Sequence, residues 1–241
     1  MTISKTYSTL FIDWDDTIGD FSGASARSLR EMYFAFGLDR CYDSPEAFRA
    51  VYEPHNIELW ERYGRDEVTK DYLEFDRFFY PLMLAPRPLP VAEAASLAPR
   101  MAAEHLRHTT EYFAPIPGAV ETIQTLAKKY RIIVVSNGFE SVQYVKIDRS
   151  GLRDCFADIV LSEQIGCQKP NPEFFRLALS RNHLRPDEVL MIGDSWYSDI
   201  FGAREAGIDQ MWIIGDGTKR REGQTATYEV TDILAVRASL A

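Results

Sequence analysis

Three carboxylates follow a short apolar run near the start of the chain. The run is TLFI (9–12), and Asp13, Asp15 and Asp16 come after it in the segment DWDD. A β-branched, apolar run of this kind predicts a buried strand, which has no structural use for charges at its end. In open α/β sheets, ligands bind at the carboxyl ends of the strands. Carboxylates at such a position hold a hard cation, attack a substrate, or do both.

Polar residues also follow two later apolar runs and precede one predicted helix. They are Ser136 and Asn137 after RIIVV, Lys169 in QKPNP, and Asp194 and Asp199 after VLMIG. Each has an ordinary explanation by itself, because small polar residues at strand ends form turns and loop lysines are usually solvated. Together they form a set in the order carboxylates, hydroxyl, lysine, carboxylates. We interpret them as one site.

The composition predicts a folded, acidic protein. The 241 residues are 46% hydrophobic, which suffices for one large domain or for a core with a smaller module. The net charge of -9 argues against nucleic acid or an anionic membrane as the main partner. A small phosphorylated metabolite can still bind where a metal and a few cations supply positive charge. We expect a monomer or a weak dimer.

The cysteines and the first residues favour a cytoplasmic location. Cys41, Cys155 and Cys167 are scattered and form no CxxC pair, which is typical of a reducing compartment. The segment MTISKTYSTLF has no basic stretch followed by a long apolar one, so we expect no signal peptide. No apolar run approaches the roughly 20 residues of a membrane span.

The order of elements predicts an α/β fold with an inserted helical domain. Residues 20–112 hold amphipathic helical stretches, and strands alternate with helices from Pro117 onward. This alternation predicts a Rossmann-like, doubly wound parallel sheet. We expect a catalytic core at 1–19 and 113–241, and an all-α domain at 20–112. The predicted strands are 9–12, 131–136, 158–162, 189–193, 211–215 and 228–230, and the predicted core helices are 117–129, 139–150, 172–183, 198–206 and a C-terminal one.

The four polar segments resemble the motifs of the haloacid dehalogenase (HAD) superfamily of phosphohydrolases. DWDDT is similar to its DxDxT motif, VVSNG to its Ser/Thr motif, QKPNP to its lysine motif, and GDSWYSD to its GDxxxxD motif. All four are present without a broken position, and the resemblance spans the whole chain. The helical insertion after the first motif is similar to the C1 cap of that family.

The resemblance implies a phosphomonoester hydrolase that works through an aspartyl-phosphate intermediate. It implies Asp13 as the nucleophile and Asp15 as the general acid and base. Lys169 would neutralise charge on the phosphate and the nucleophile. Ser136 and the backbone N–H of Asn137 would hold a phosphate oxygen.

The resemblance also implies a Mg²⁺ site. The implied ligands are the Asp13 carboxylate, the Asp15 backbone carbonyl, Asp194, a substrate phosphate and water. Asp199 is predicted to orient a metal-bound water or Lys169, and direct coordination by Asp199 stays open. Clustered carboxylates without a cation repel each other and raise one pKa, so the acidity of the site itself favours a bound ion.

Residues outside the catalytic and metal-binding roles are also predicted to contact the substrate. Beside the nucleophile, Trp14 is predicted to contact the substrate and Asp16 to be structural. In the insertion, Trp60, Tyr63 and Arg65 of ELWERYGRDE are candidates for binding a nucleobase. Stacking of a base on an aromatic ring contributes roughly 1–3 kcal/mol. Most other aromatic residues of the insertion are expected to form the core of a helical bundle.

Longer stretches resemble one branch of the superfamily. PHNIELWERYGRDEVTKDYLEFDRF, IPGAVETIQTL and SNGFESVQYVKIDRSGL are similar to the house-cleaning pyrimidine 5′-nucleotidases, which implies a nucleoside 5′-monophosphate phosphatase. A phosphatase of phosphoglycolate or sugar phosphates is the alternative. Thr17 argues against a phosphosugar mutase, since that branch departs from DxDxT there. Asp15 argues against a 2-haloacid dehalogenase, which lacks this acid. A non-catalytic binding protein would have lost a nucleophile or a metal carboxylate.

Overall fold

The chain divides into two compact units. The computed structural model describes residues 3, 5–215 and 222–241. One unit, called the sheet unit below, combines Met1–Asp20 with Ala114–Ala241, and the other, the helical unit, is Phe21–Phe113. Each boundary lies one residue beyond the position that the sequence predicts. None of the helices in the described part of the chain combines the length and the apolar character needed to cross a bilayer.

The described residues of the sheet unit form six parallel strands in the order β3-β2-β1-β4-β5-β6. This confirms the predicted α/β fold with a parallel sheet. β1 lies in the middle and is wholly buried, because helices cover both faces of a parallel sheet. The strands are β1 (Thr9–Ile12), β2 (Arg131–Ser136), β3 (Phe156–Leu161), β4 (Val189–Gly193), β5 (Asp209–Ile213) and β6 (Tyr228–Val230).

The helical unit consists of four main helices around its own core. Two of them have polar N-caps, since the Ser44 hydroxyl accepts from the Ala47 N–H and the Thr69 hydroxyl from the Tyr72 N–H. The helices are α1 (Phe21–Ala35), α2 (Pro45–Gly64), α3 (Lys70–Met83) and α4 (Val91–Glu111), with a short 3₁₀ turn at Leu38–Arg40. Most of the aromatic residues fill the core, as predicted, including Tyr33, Tyr42, Phe48, Tyr52 and Phe78.

Two histidines of α4 are buried, which contradicts the expectation from their spacing. His105 and His108 lie three residues apart, and this spacing predicts a solvated helix face. The structure buries both rings, and the Ser28 hydroxyl lies 2.9 Å from Nδ1 of His105 and 3.2 Å from Nδ1 of His108. A polar partner on a neighbouring helix therefore permits burial that the helical pattern alone does not indicate.

Six α-helices accompany the strands in the part of the sheet unit that the structure describes. The residues that precede several of them act as caps, such as Asn171, whose Oδ1 accepts from the Glu173 N–H at 3.0 Å. The helices are α5 (Ala119–Leu126), α6 (Glu140–Ser150), α7 (Ser162–Ile165), α8 (Pro172–Arg181), α9 (Gly202–Glu205) and α10 (Ile233–Leu240). Two 3₁₀ turns lie at Arg153–Cys155 and Pro186–Glu188, and a π-helical turn covers Trp196–Phe201.

Several element boundaries differ from the predicted ones for local reasons. The helix predicted at 117–129 begins only at Ala119, because Gly118 adopts a left-handed φ of 82°. The helix predicted at 198–206 is a π-helical turn followed by α9, since the Ser195 hydroxyl caps the turn by accepting from the Ser198 N–H. β5 lies two residues before its predicted position.

Gly202, the first residue of α9, lets this helix pass close to the segment that carries Lys169. A Cβ at Gly202 would lie 2.6 Å from the carbonyl oxygen of Pro170 and 2.7 Å from the ring of Phe175. Because no side chain intervenes, the backbone of α9 packs directly against the residue that follows the lysine. This contact holds the lysine segment against α9.

We expect Gly202→Ala to lower the free energy of unfolding by about 1–3 kcal/mol, because a methyl group there overpacks a close backbone contact. Gly215→Ala is the matched control, since a Cβ at Gly215 has no heavy atom within 4 Å. Urea unfolding monitored by circular dichroism measures both. Equal stabilities for the two variants would contradict the close contact.

Candidate active site

The buried ammonium of Lys169 lies at the centre of the site. Its Nζ donates to Oδ1 of Asp13 at 2.6 Å, to Oδ1 of Asp199 at 2.7 Å and to the carbonyl of Val135 at 2.9 Å. These three acceptors match the three donors of an ammonium group. Burial by itself lowers the pKa of Lys169, but the charges of Asp13 and Asp199 outweigh it, and the pKa is raised. Lys169 is therefore a fixed positive charge.

Asn137 holds the backbone of Lys169 in place. Its Oδ1 accepts from the Lys169 N–H at 2.9 Å, and its Nδ2 donates to the Lys169 carbonyl at 2.8 Å. The sequence predicts Asn137 only as a source of a backbone N–H for phosphate. The structure adds a second task for its side chain, which links the end of β2 to the lysine segment.

Asp199 connects the lysine to the segment after β4. It is fully buried, and its Oδ1 accepts from Lys169 while its Oδ2 accepts from the Ser195 N–H at 3.1 Å. A Cβ at Gly193 would overlap this carboxylate, so the glycine at the strand end makes room for it. These bonds favour a role for Asp199 in orienting Lys169, which is one of the two roles that the sequence predicts.

Asp194 follows β4 and lies beside Asp13. Its Oδ1 accepts from the Thr17 hydroxyl at 3.1 Å, and its carbonyl accepts from Nε1 of Trp212 at 2.8 Å. The register of β1 and β4 explains the proximity, because the Asp13 N–H donates to the carbonyl of Ile192 at 2.9 Å. The two strand ends thus bring both carboxylates to one edge of the sheet.

Three carboxylates of the site fit a divalent cation. Single oxygens of Asp13, Asp194 and Asp199 all lie within 4.8 Å of one another. Burial, with repulsion from Asp199 and Asp15, raises the pKa of Asp13 to about 7 against the opposing charge of Lys169. Burial and the charge of Asp13 also raise the pKa of Asp194 well above its usual range. This excess of buried negative charge and hard oxygen donors is what a site for Mg²⁺ requires.

Asp15 has its own partners, separate from those of Asp13. Lys146 donates from Nζ to Oδ1 of Asp15 at 2.8 Å, and Gln143 donates from Nε2 to Oδ2 at 2.9 Å. Both residues lie on α6, and both are buried. Neither residue is predicted from the sequence as part of the site, although their spacing of three residues on the helix after Ser136 places them on one face.

Ser136, at the end of β2, is buried and accepts two hydrogen bonds. The Gly138 N–H lies 3.0 Å from its Oγ, and Nε2 of Gln143 lies 2.8 Å from it. A Cβ at Gly138 would overlap the Gln143 side chain, so the glycine after the serine motif admits this contact. The structure therefore brings Asp13, Asp15 and Ser136 together with Asn137, Lys169, Asp194 and Asp199.

Trp14 and Asp16 also belong to the first motif, and their surroundings differ from those of Asp13 and Asp15. The Trp14 ring is fully buried and meets the Phe156 ring edge-on at a centroid distance of 6.0 Å. Contact of Trp14 with a substrate stays a prediction. Asp16 has a left-handed φ of 60°, and its N–H donates to the Gly19 carbonyl at 2.7 Å, as expected of a turn residue.

The three candidate residues of the helical unit lie near the end of α2. The rings of Trp60 and Tyr63 meet edge-on at 5.8 Å, and Tyr63 is buried. Arg65 is the C-cap residue of α2, and its Nε lies 2.5 Å from Oε1 of Glu67. Contact of these residues with a substrate stays a prediction.

Comparison with known proteins identifies the family. A model described as haloacid dehalogenase-like hydrolase matches residues 7–207. The chain belongs to this family of hydrolases, which confirms the resemblance of the four motifs.

Particular relatives are similar over nearly the full length. The chain is 30% identical to the pyrimidine 5′-nucleotidase YjjG of Escherichia coli, over 93% of each chain. It is 32% identical to the putative HAD-hydrolase YfnB of Bacillus subtilis, over 94% of this chain and 92% of that protein. A magnesium-bound crystal structure of YfnB superposes with a TM-score of 0.85 and covers 98% of this chain and 99% of that one. The glyceraldehyde 3-phosphate phosphatase of Pyrococcus furiosus is 30% identical, over 85% and 79%.

The raised pKa of Asp13 predicts a pH dependence of stability in the metal-free protein. An acid with a folded pKa of about 7, above the ordinary 3.8, stabilises the fold when protonated. That contribution is complete below pH 3.8 and is lost as the pH rises through about 7. In EDTA we therefore expect the free energy of unfolding to fall between about pH 4 and about pH 7.

Urea unfolding at a series of pH values measures this fall. Asp13→Asn should make it shallower, because the amide does not titrate, while burial keeps the pKa of Asp194 raised and leaves a smaller slope. Asp148→Asn, at an exposed position on α6, is the control and should keep the wild-type slope. Parallel slopes for the wild type and Asp13→Asn would show that Asp13 titrates normally.

Proposed function

We propose that the protein is a Mg²⁺-dependent phosphomonoester hydrolase that acts through an aspartyl-phosphate on Asp13. The observation that supports this proposal most directly is that two neighbouring carboxylates have different hydrogen-bond partners. Asp13 is held by Lys169, and Asp15 by Lys146 and Gln143. Two carboxylates in different environments can act as a nucleophile and as an acid and base. The hydrolase family supports the same reaction class.

The substrate phosphate would bind between Lys169 and Ser136. Phosphoryl transfer spreads negative charge over the equatorial oxygens, and catalysis depends on neutralising that charge. Lys169 supplies a compact charge that its three hydrogen bonds keep in place. The Ser136 hydroxyl and the Asn137 N–H would donate to phosphate oxygens.

Hydrolysis would proceed in two displacement steps. An oxygen of Asp13 attacks phosphorus, the bond to the leaving oxygen breaks, and Asp15 gives its proton to that oxygen. Asp15 then takes a proton from water as the water attacks the phosphorus of the aspartyl-phosphate. The bond between phosphorus and Asp13 breaks, and inorganic phosphate leaves with both carboxyl groups restored.

The metal would be held by Asp13, the backbone carbonyl of Asp15 and Asp194. Asp13 has one oxygen on Lys169 and Asp194 has one on Thr17, so each has a second oxygen to offer. When bound, Mg²⁺ neutralises charge on the phosphate and on the attacking carboxylate. Asp199 would act through Lys169.

We propose a nucleoside 5′-monophosphate as the substrate, with a pyrimidine base preferred. The similarity to the E. coli pyrimidine 5′-nucleotidase over 93% of both chains supports this choice. The helical unit would act as a cap that recognises the base, with Trp60, Tyr63 and Arg65 as candidate contacts. The crystal structure of the B. subtilis relative shows interdomain movement in that protein, which supports an opening cap.

A small-metabolite phosphatase is the second candidate. The glyceraldehyde 3-phosphate phosphatase of P. furiosus has the same 30% identity as the E. coli nucleotidase, although over a smaller part of the chain. The core chemistry is identical for both candidates, because the reacting atoms of all phosphomonoesters are the same. The leaving group alone distinguishes them.

A phosphate-release panel with Mg²⁺ tests the reaction and the substrate together. It compares UMP, dUMP, dTMP and purine monophosphates with phosphoglycolate, glyceraldehyde 3-phosphate, other sugar phosphates and pyrophosphate. We expect the highest kcat/KM for a pyrimidine monophosphate. Asp13→Asn should lower kcat by at least about 10⁴-fold on every substrate, because the nucleophile is lost. A preference for sugar phosphates would exclude the nucleotidase, and full activity of Asp13→Asn would exclude the mechanism.

Calorimetric titration with Mg²⁺ tests the metal site without any substrate. Asp194→Asn should weaken Mg²⁺ binding by at least about 10-fold, since it removes a charged ligand. Asp20→Asn removes an exposed carboxylate from the segment that follows Asp13 and should leave the affinity unchanged. Equal affinities for the wild type and Asp194→Asn would place the metal elsewhere.

A further inference from the structure

Helix α6 supplies two buried polar side chains to the proposed acid and base. Gln143 and Lys146, named the α6 pair below, lie one helical turn apart and face the carboxylate of Asp15. Neither residue belongs to the four sequence motifs. Burial of an amine and an amide is costly unless their donors are used, so two such residues at one carboxylate require an explanation.

Lys146 fixes one oxygen of Asp15. Its side chain is 4% exposed, against 27% for Asp15, and the two charged atoms are 2.8 Å apart. The ammonium is therefore shielded, while part of the carboxylate stays accessible. A carboxylate oxygen has more than one lone pair, so Oδ1 can accept from Lys146 and still exchange a proton with a bound molecule.

Gln143 connects Asp15 to the phosphate-binding serine. Its Nε2 donates one proton to Oδ2 of Asp15 at 2.9 Å and the other to Oγ of Ser136 at 2.8 Å. The carboxylate determines this orientation of the amide, because a flipped Oε1 would face a negative oxygen. Its Oε1 is buried and has no hydrogen-bond partner among the described residues, so the orientation is maintained at a cost.

The Gln143 contact also orients the hydroxyl proton of Ser136. The serine oxygen accepts from the Gly138 N–H and from Gln143, and these two bonds use both of its lone pairs. Its own proton is then left to donate. A phosphate oxygen, which is only an acceptor, is the partner that such a hydroxyl fits.

We propose that Gln143 and Lys146 are positioning residues for phosphoryl transfer, which rests on the function proposed above. Lys146 holds the Asp15 carboxylate where it meets the leaving oxygen and then the attacking water. Gln143 sets the orientation of Asp15 and Ser136 together, so that the acid and the phosphate donor keep one geometry. The α6 pair acts through these two residues and does not touch the reacting atoms.

This role predicts a dependence on the leaving group. UMP releases an alkoxide, which must receive a proton from Asp15 as its bond to phosphorus breaks. 4-Nitrophenyl phosphate releases a stable anion and needs no proton. The value of kcat/KM reports the steps up to formation of the aspartyl-phosphate, so it isolates the step in which the leaving group departs. Loss of Lys146 should therefore affect UMP much more than 4-nitrophenyl phosphate.

The experiment compares kcat/KM for both phosphates, with Mg²⁺, in the wild type and in Lys146→Met. General acid catalysis contributes about 10²–10⁴-fold, so we expect a loss of about 10²-fold for UMP. The loss for 4-nitrophenyl phosphate should stay below about 5-fold, because protonation does not limit that reaction. Arg149→Met removes a cation from the same helix at an exposed position and should change neither value.

Gln143→Met gives a second, different signature. It removes the donor that orients Ser136, which contacts the phosphate common to both substrates. We therefore expect kcat/KM to fall by about 10-fold for 4-nitrophenyl phosphate, in line with one lost hydrogen bond near a charged group. The loss for UMP should be larger, because the variant also removes a donor to Asp15. An unchanged value in Gln143→Met would exclude the link between Asp15 and Ser136.

If Lys146→Met lowers kcat/KM by the same factor for both substrates, the positioning role is overturned and Lys146 has only a structural role. Continued turnover of 4-nitrophenyl phosphate shows that Lys146→Met is folded. If this variant does not fold, Lys146→Gln is measured in its place. If the wild type hydrolyses another alkyl phosphate better than UMP, that substrate takes its place. If the wild type hydrolyses no phosphate ester at all, this result contradicts the proposed function and not the positioning role of the α6 pair.

Discussion

The site depends on one buried ammonium between two buried carboxylates. Lys169 has its three donors on Asp13, Asp199 and the carbonyl of Val135, and each bond restrains a different segment of the chain. A charge buried in this way is costly unless all partners are present, so the three segments adopt their positions together. Asn137 and Gly202 support the same lysine, the first by hydrogen bonds to its backbone and the second by close packing.

The same constraint assigns different tasks to neighbouring carboxylates. Asp13 shares the lysine with Asp199, which leaves one of its oxygens for other chemistry. Asp15, two residues later, has the α6 pair as partners. Asp194 has only the neutral Thr17 hydroxyl on its carboxylate among the described residues, and burial together with the charge of Asp13 raises its pKa. The remaining negative charge is concentrated where a cation would compensate it.

The main parts of the site could be predicted because they interrupt apolar runs. Asp13, Ser136 and Asp194 each come at the end of a buried strand, where a polar residue contrasts with its neighbours. Parallel strands bring such ends to one edge, so their proximity follows from the fold class. The α6 pair gave no such contrast, since a lysine and a glutamine on a mixed helix are usually solvated. Their burial depends on the contact with Asp15, and this contact arises from the tertiary fold and not from the local sequence of the helix. The buried ring of Trp14 was missed for a similar reason.

The central claim is that Asp13 forms a covalent bond to phosphorus. Rapid acid quench of the wild type during turnover, followed by peptide mass spectrometry, tests it most directly. We predict that the peptide containing Asp13 gains the mass of one phosphoryl group and loses it again as substrate is exhausted. The same peptide from Asp13→Asn should gain no phosphoryl group. A phosphoryl group on another residue, or turnover with no labelled peptide at any time, would contradict the account.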